Sequence, residues 1–406
     1  MGDEVEPGQR PPAPADEFEA ARTVGVVEAP PREPATPHHY REAIKEQLGL
    51  RGIVSEYLIP VETNTIWYVL GGVLAIALVL EVLTGMILAL RYIPDAGRAY
   101  QITSQLLREG GWSVDLNFHY WNSYVIFALV MIHMLRVFLS GGYRRGKTGL
   151  WLIGVGLAGT VFLLSLTGET LHWDERGFAV PWHVAEFFEA TGLQHVFHYA
   201  RDPDLLNVSS ATRHLIPFYA LHIAVLPLLL FALIAMHYYL VKVKRISVPF
   251  WHKPSGRTGP FTEHIKVWFA YSGVILGAVL LISIFIHRSP GDAPQLLPSS
   301  PFFGSEHGPG GLGTVPTFPI SWTHGMNRFV NLAFHLEPDI WGTVVGMVLM
   351  TAALIVVPFV DRSDHEPSSW GEALDVRRRG WAFLAMAIFW VTMFTGVLTN
   401  AITPVG

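Results

Sequence analysis

Seven separate stretches of this sequence are apolar over lengths that match the ~30 Å hydrocarbon core of a bilayer. They are Trp67–Leu90, Phe118–Leu139, Leu150–Leu166, Leu215–Val241, Val267–Ile286, Ile340–Val360 and Trp381–Ile402, spans A to G. Lipid offers no partner to a backbone amide, so a stretch of this kind satisfies its N–H and C=O groups internally, as a helix. The expected fold is an all-α integral membrane protein with seven transmembrane helices. Composition agrees: 15% of the residues are charged, where soluble domains carry about a quarter.

Spans B and D each carry two histidines, His119 and His133 in B, His222 and His237 in D. At ~1.5 Å per residue, steps of 14 and 15 residues separate the members of a pair by roughly 21–22 Å and return them to within about 40° and 60° of one helix face. Packed together, B and D would offer two facing imidazole pairs stacked across the membrane, His119 with His222 and His133 with His237. That arrangement suits two non-covalent, bis-histidine haems b, since neutral imidazole is a common ligand of haem iron. A lone histidine in an apolar run is usually a hydrogen-bonded core residue. Matched spacing on two spans, where ionisable groups are costly and functional by default, favours the ligand reading. Spans A and C carry Gly71 and Gly85, and Gly154 and Gly168, in the same 14-residue step. A residue without Cβ lets a flat macrocycle approach the backbone. The competing reading is small-residue helix packing.

The chain has no cysteine, which excludes a disulfide, a cysteine-ligated iron–sulfur cluster and a thioether-attached haem on this polypeptide. A net charge of −5 without a basic tract gives no sign of nucleic-acid binding. Residues 1–40 are rich in proline and charge and read as a disordered tail, His38 and His39 included, with no signal-peptide pattern. Residues 41–250 then form a four-helix part and 251–406 a three-helix part. Lys and Arg number 16 in the loops on the N-terminal side of the membrane and eight in the opposite loops. That bias predicts a cytoplasmic N-terminus and places His119 and His222 towards the outside. Val180–Phe188 is amphipathic and expected at the interface, and Ser289–Pro338 reads as a Gly- and Pro-rich loop.

Four segments carry a family resemblance: WYVLGG…VLTG in span A, GW…HYWNSYVIFALVMIHMLRVFLSGGYRR from Gly111, LTGETLHWDERGF from Leu166, and FYALHIAVLP…MHYYLVKVKRIS from Phe218. Residues 50–402 resemble cytochrome b of the Rieske/cytochrome b complexes. Seven spans and the 15-residue step in D are like the plastid-type and related bacterial forms, here with both parts joined in one chain. The resemblance implies an N-terminal four-helix di-haem bundle plus three C-terminal helices, in a bacterial cytoplasmic membrane. It implies quinol oxidation near the outer surface, one electron passing to a Rieske iron–sulfur partner and on to a c-type cytochrome. The other electron crosses through the outer and inner haems to a second quinone site, with proton translocation. It also implies a homodimeric complex. Among residues, His119, His133, His222 and His237 match the ligands, Arg136 a position near an inner propionate, Lys242 a cation near the inner quinone, and Gly177 a glycine of the outer quinone pocket.

The sequence departs from the family where the outer quinone site carries a PEWY-type segment. Its counterpart here is Pro316-Thr317-Phe318-Pro319. Threonine is no acid–base group at neutral pH, so proton acceptance falls to His172, Asp174 or His324, with Glu169 and Glu175 as further candidates. Val69 replaces a haem-anchoring cysteine, and Pro217 replaces an arginine, with Arg213 four residues upstream. The altered segment keeps open a second expectation, a di-haem membrane anchor that exchanges electrons between quinone and another enzyme, such as a nitrate reductase-like partner.

Overall fold

A computed structural model of the chain describes residues 58–144, 146–197, 199, 207–247, 249–251, 255–286, 319–335, 340–363 and 365–402. The chain divides into units 1–56 and 57–406, and all of the first lies outside the described residues, with it the expected tail. Pro316, Thr317 and Phe318 of the candidate quinone segment also lie outside them.

The second unit is helical: α1 Ile66–Ala89, α2 Ala99–Leu106, α3 Gly110–Leu139, α4 Thr148–Thr170, α5 Glu175–Thr191, α6 Val208–Ala220, α7 Leu226–Lys244, α8 Phe261–Phe285, α9 Ser321–Phe334, α10 Trp341–Val360 and α11 Val376–Ile402. Among the described residues seven helices are long and apolar enough to cross a membrane, with α6 and α7 forming one 37-residue rod, Val208–Lys244. Helix α5 is not among them; it follows α4 and buries Phe178, Ala179 and Val180 near its start. Its N-cap is Asp174, whose carboxylate accepts from Gly177 N at 2.8 Å. It ends at Gly192 in the left-handed region, φ 75°, which glycine adopts without Cβ strain.

A two-stranded antiparallel ribbon pairs Leu58–Pro60 with Thr258–Pro260. It holds the chain just before α1 beside the chain just before α8, so these two helices start at one end and run side by side. Gly72 seals the joint: a Cβ there would stand 2.0 Å from Cδ2 of Trp268, so the indole lies directly on the α1 backbone.

The central apolar layer is built from Ala77, Leu78, Ile126, Phe127, Val130, Val161, Leu230 and Leu276. On α1, α3, α4 and α7 each of these residues falls between the two histidine or glycine positions of its own span. The layer therefore places a band of hydrocarbon between the two histidine levels.

Helices α10 and α11 pack against the ends of α3 and α4 through Met134, Phe138, Trp151, Leu354, Val357 and Phe389. Trp151 Nε1 donates to Leu354 O at 2.7 Å, which satisfies a buried indole. An ionic cluster closes this end. Asp361 Oδ2 accepts from Tyr143 Oη at 2.5 Å, Arg144 Nη2 at 2.8 Å and Arg379 Nε at 3.3 Å, and Lys147 pairs with Glu366 at 2.7 Å. Arg379 is 0% exposed and also donates to the carbonyls of Phe138, Leu139 and Ala373. As loop cations these residues carry only topology in the sequence; folded, they bind the α3–α4 turn to α10 and α11.

Two elements differ from expectation. The connection Ser289–Pro338, expected as loop, contains the 14-residue helix α9. Its signal was an apolar stripe, Trp322, Met326 and Val330, all buried, at the i, i+4, i+8 spacing of one helix face. Span D is not a regular α-helix either: Leu221–Val225 form a π turn in which Leu226 N–H bonds Leu221 O. Pro227 follows directly and cannot donate to the fourth carbonyl behind it, so the widened turn accommodates it. A π turn absorbs one extra residue. The 15-residue step from His222 to His237 thus becomes equivalent to 14 α-helical steps, about 40° off one face, the same as His119 to His133.

Candidate functional site: two facing histidine pairs

The imidazoles of His119 on α3 and His222 in the π turn face each other with ring centroids 6.2 Å apart and planes at 81°. One metal ion between two such rings, at ~2.0–2.1 Å from each nitrogen, demands a centroid separation of roughly 6.4 Å. Each ring leans on a glycine of the neighbouring helix. A Cβ on Gly85 would stand 3.1 Å from His119 Cε1, and one on Gly168 would stand 2.8 Å from His222 Cε1. The glycines thus make room for the facing imidazoles.

Nδ1 of His119 lies 3.0 Å from Glu81 O and 3.1 Å from Thr84 Oγ1. Nδ1 of His222 lies 3.1 Å from Leu164 O and 3.1 Å from Thr167 Oγ1. A carbonyl only accepts, so in both rings Nδ1 carries the proton and Nε2 keeps its lone pair for a metal. Thr84 and Thr167 are site residues the sequence reading missed. Their signal was the repeated Thr-Gly step, Thr84-Gly85 and Thr167-Gly168, facing the two histidines of one level. Glu81 and Asn122 were missed too: Glu81 Oε1 is 3.4 Å from His119 Nδ1, and Asn122 Nδ2 donates to Glu81 Oε2 at 2.8 Å.

A cavity of about 420 Å³ opens beside this pair, bordered by His119, His222, Gly85, Gly168 and His172, and reaching Pro319 and Ile320. It therefore runs from the histidines to Pro319, the last residue of the candidate quinone segment. The lining is mainly apolar, but it includes the carboxyls of Glu81 and Glu169, the hydroxyls of Ser123 and Ser165, and the Tyr120–Tyr124 hydroxyl pair (2.7 Å).

His133 and His237 occupy the other level and lie close enough to interact electrostatically. Gly71 faces His133 and Gly154 faces His237, with built Cβ atoms 3.2 and 3.6 Å from the respective Cε1. Arg136 sits one turn beyond His133, its Nε donating to Trp67 O at 3.1 Å and its guanidinium 4.4 Å from the Tyr68 ring centre. Lys242 lies in the last turn of α7.

The candidate proton acceptors fall in different places. His172 borders the cavity, and burial, helped by the nearby His119, His222 and Arg176, pushes its pKa down to about 3, so the ring is neutral. Asp174 is turned to the first turn of α5; burial raises its carboxyl to about 7 against the opposing Gly177 hydrogen bond. His324, on α9, is pushed down to about 4 by burial and by His183 and Arg328, and its Nε2 is buried without a hydrogen-bond partner among the described residues. Gly177 packs on the end of α4: a Cβ there would meet Glu169 O at 2.8 Å. Its need for glycine is met by helix packing within α4 and α5.

The donor set fits a porphyrin iron: two neutral imidazoles with free Nε2 lone pairs, glycine-backed, opening on an apolar cavity. Fold and site together define a multi-pass helical membrane protein with paired intramembrane histidines. Residues 54–245 match the family model of cytochrome b/b6/petB. The cytochrome b subunit of menaquinol:cytochrome c reductase from Bacillus subtilis is 31% identical over 186 residues, 45% of this chain and 81% of that protein. Cytochrome b/c1 of Bradyrhizobium diazoefficiens is 25% identical over 373 residues, 87% of this chain and 49% of that protein. A chain of a hyperthermophilic respiratory complex III shares the fold, with TM-score 0.63 and 19% identity over 89% of this chain and 95% of that one. This chain belongs to the cytochrome b family of the bc and b6f type.

Proposed function

We propose that this chain is the di-haem cytochrome b subunit of a quinol:cytochrome c-type oxidoreductase. In this reading His119 with His222 and His133 with His237 each hold one haem b, whose chemistry is one-electron storage at two depths of the membrane. Residues 41–250 form the haem-carrying part, and 251–406 supply the segment that closes the quinol cavity. The single observation that carries the reading is the 6.2 Å opposition of the His119 and His222 rings at the edge of the 420 Å³ cavity.

The protein's own groups act as follows. The glycines let the imidazoles stand against α1 and α4, and the Nδ1 contacts hold Nε2 towards the cavity. The apolar layer between the levels keeps water out of the space that separates the two histidine pairs. Quinol occupies the cavity end near Pro319, with Gly177, Pro316, Thr317 and Phe318 proposed around it. Asp174, His172 and His324 are proposed to take its protons. Of these, Asp174 has the pKa closest to neutral pH, and the neutral rings of His172 and His324 serve as hydrogen-bond relays. At the other end Arg136 supplies a cation for a propionate and Lys242 one for the second quinone. The distribution of Lys and Arg supports a cytoplasmic N-terminus, with quinol oxidised outside and protons drawn from inside, in a bacterial inner membrane. A Rieske protein, a c-type cytochrome and a second copy of the chain complete the proposed complex.

The test is purification of the intact complex with its haems counted by pyridine haemochrome. Two haems b per chain are expected, and one in His222→Ala. Two haems in that variant overturn the pairing. Absence of a Rieske subunit alongside a different redox enzyme favours the membrane-anchor reading.

A further inference from the structure

The two histidine levels differ in what their Nδ1 atoms meet. At the first, Nδ1 of His119 and of His222 each find a threonine oxygen and a helix carbonyl within 3.1 Å. The geometry repeats: the threonine directly precedes the facing glycine, and the carbonyl lies four residues before that glycine. The hydroxyl protons are committed elsewhere. Thr84 donates to Leu80 O and Glu81 O at 2.9 and 3.0 Å, and Thr167 to Leu163 O and Leu164 O at 2.8 and 3.2 Å. Each hydroxyl therefore offers only lone pairs to the imidazole N–H.

At the second level the same places hold Leu70 and Ile153, which have no hydroxyl. Trp67 O, four residues before Gly71, already accepts from Arg136 Nε at 3.1 Å. Nδ1 of His133 and of His237 are buried with no hydrogen-bond partner among the described residues. An imidazole that donates Nδ1–H to oxygen is fixed in tautomer and rotation, and its Nε2 becomes a stronger donor to a metal. A stronger imidazole donor would favour the oxidised state of a bound haem iron.

We infer that Thr84 and Thr167 are positioning residues that set the orientation and donor strength of the His119–His222 pair, and that the His133–His237 pair has no equivalent support. The inference rests on the haem reading above. It makes the two centres chemically unequal through two hydroxyl groups, with the difference written into the Thr-Gly steps of α1 and α4.

The test is a redox titration of the purified complex, following the α-band absorbance, after the haem count has established two haems b. Thr167→Val is the cleaner variant, because His119 also has the Glu81 carboxyl at 3.4 Å. It is expected to move the midpoint of one centre upward, the centre missing in His222→Ala, and to leave the other in place. Thr167→Ser is expected to return it. Both haems retained with both midpoints unmoved overturns the inference. If Thr167→Val loses a haem, Ile153→Thr decides, since it puts a hydroxyl before Gly154: a lowered midpoint at the other centre supports the inference, and an unmoved one overturns it. Fewer than two haems in the wild-type complex brings down the haem reading itself.

Discussion

A Cβ built on Gly168 of α4 would stand 2.8 Å from Cε1 of His222, closer than real Cβ contacts come. The facing distances at Gly85, Gly71 and Gly154 are 3.1, 3.2 and 3.6 Å, so the four glycines form a graded series. Gly168→Ala is expected to displace His222 and cost about 1–3 kcal/mol by overpacking, with loss of one haem. Gly154→Ala meets only ordinary contact and is expected to retain both haems. Haem-to-protein ratio and thermal unfolding in detergent read the difference; equal losses would show that the glycines serve general helix packing.

Pro227 holds the π turn that aligns His222 with His237. Pro227→Ala supplies the missing N–H and allows a regular α-helix, which turns His222 by about 100° relative to His237. The expected result is loss of the haem at His119–His222 with the second haem kept. Spectra with both centres intact would mean that packing, and not proline, sets the turn.

Asp174 gives a pH signature. Its carboxyl is raised in the folded protein from 3.8 to about 7, mainly by burial. A raised folded-state pKa contributes stability that is full below about pH 4 and is lost as pH rises through about 7, on the order of 4 kcal/mol across the window. Asp174→Asn keeps an N-cap acceptor for Gly177 and removes the titration. Melting temperatures measured from pH 5 to 8 are expected to fall in the wild type relative to this variant, and parallel curves would refute the assignment.

Asp361 is the carboxylate partner of two buried guanidinium groups, with 1% of its side chain exposed. Asp361→Ala leaves Arg144 and Arg379 unpaired and is expected to cost about 3–5 kcal/mol. Glu263→Ala breaks the exposed Lys266–Glu263 pair and is expected to cost less than about 1 kcal/mol. Detergent thermal melts of the two variants compare them directly.

Hydrophobic length alone determined the seven spans, since lipid forces each apolar run into a helix, and the observed helices differ from the sequence ranges chiefly by extra turns at their ends. The histidine and glycine positions were equally legible, because a helical period converts a 14-residue step into a shared face. Three things were decided only by tertiary structure. The 15-residue step of span D becomes equivalent to 14 through the π turn, a backbone adjustment around Pro227 that ideal helical geometry does not contain. Thr84 and Thr167 meet their imidazoles only when α1 meets α3 and α4 meets the π turn of span D, because a hydroxyl's partner lies on another element. Arg144, Lys147 and Arg379 read as loop charges and fold into a buried cluster around Asp361 and Glu366, since the cost of burying a cation is offset only by the carboxylate that the distant α10–α11 segment brings to it.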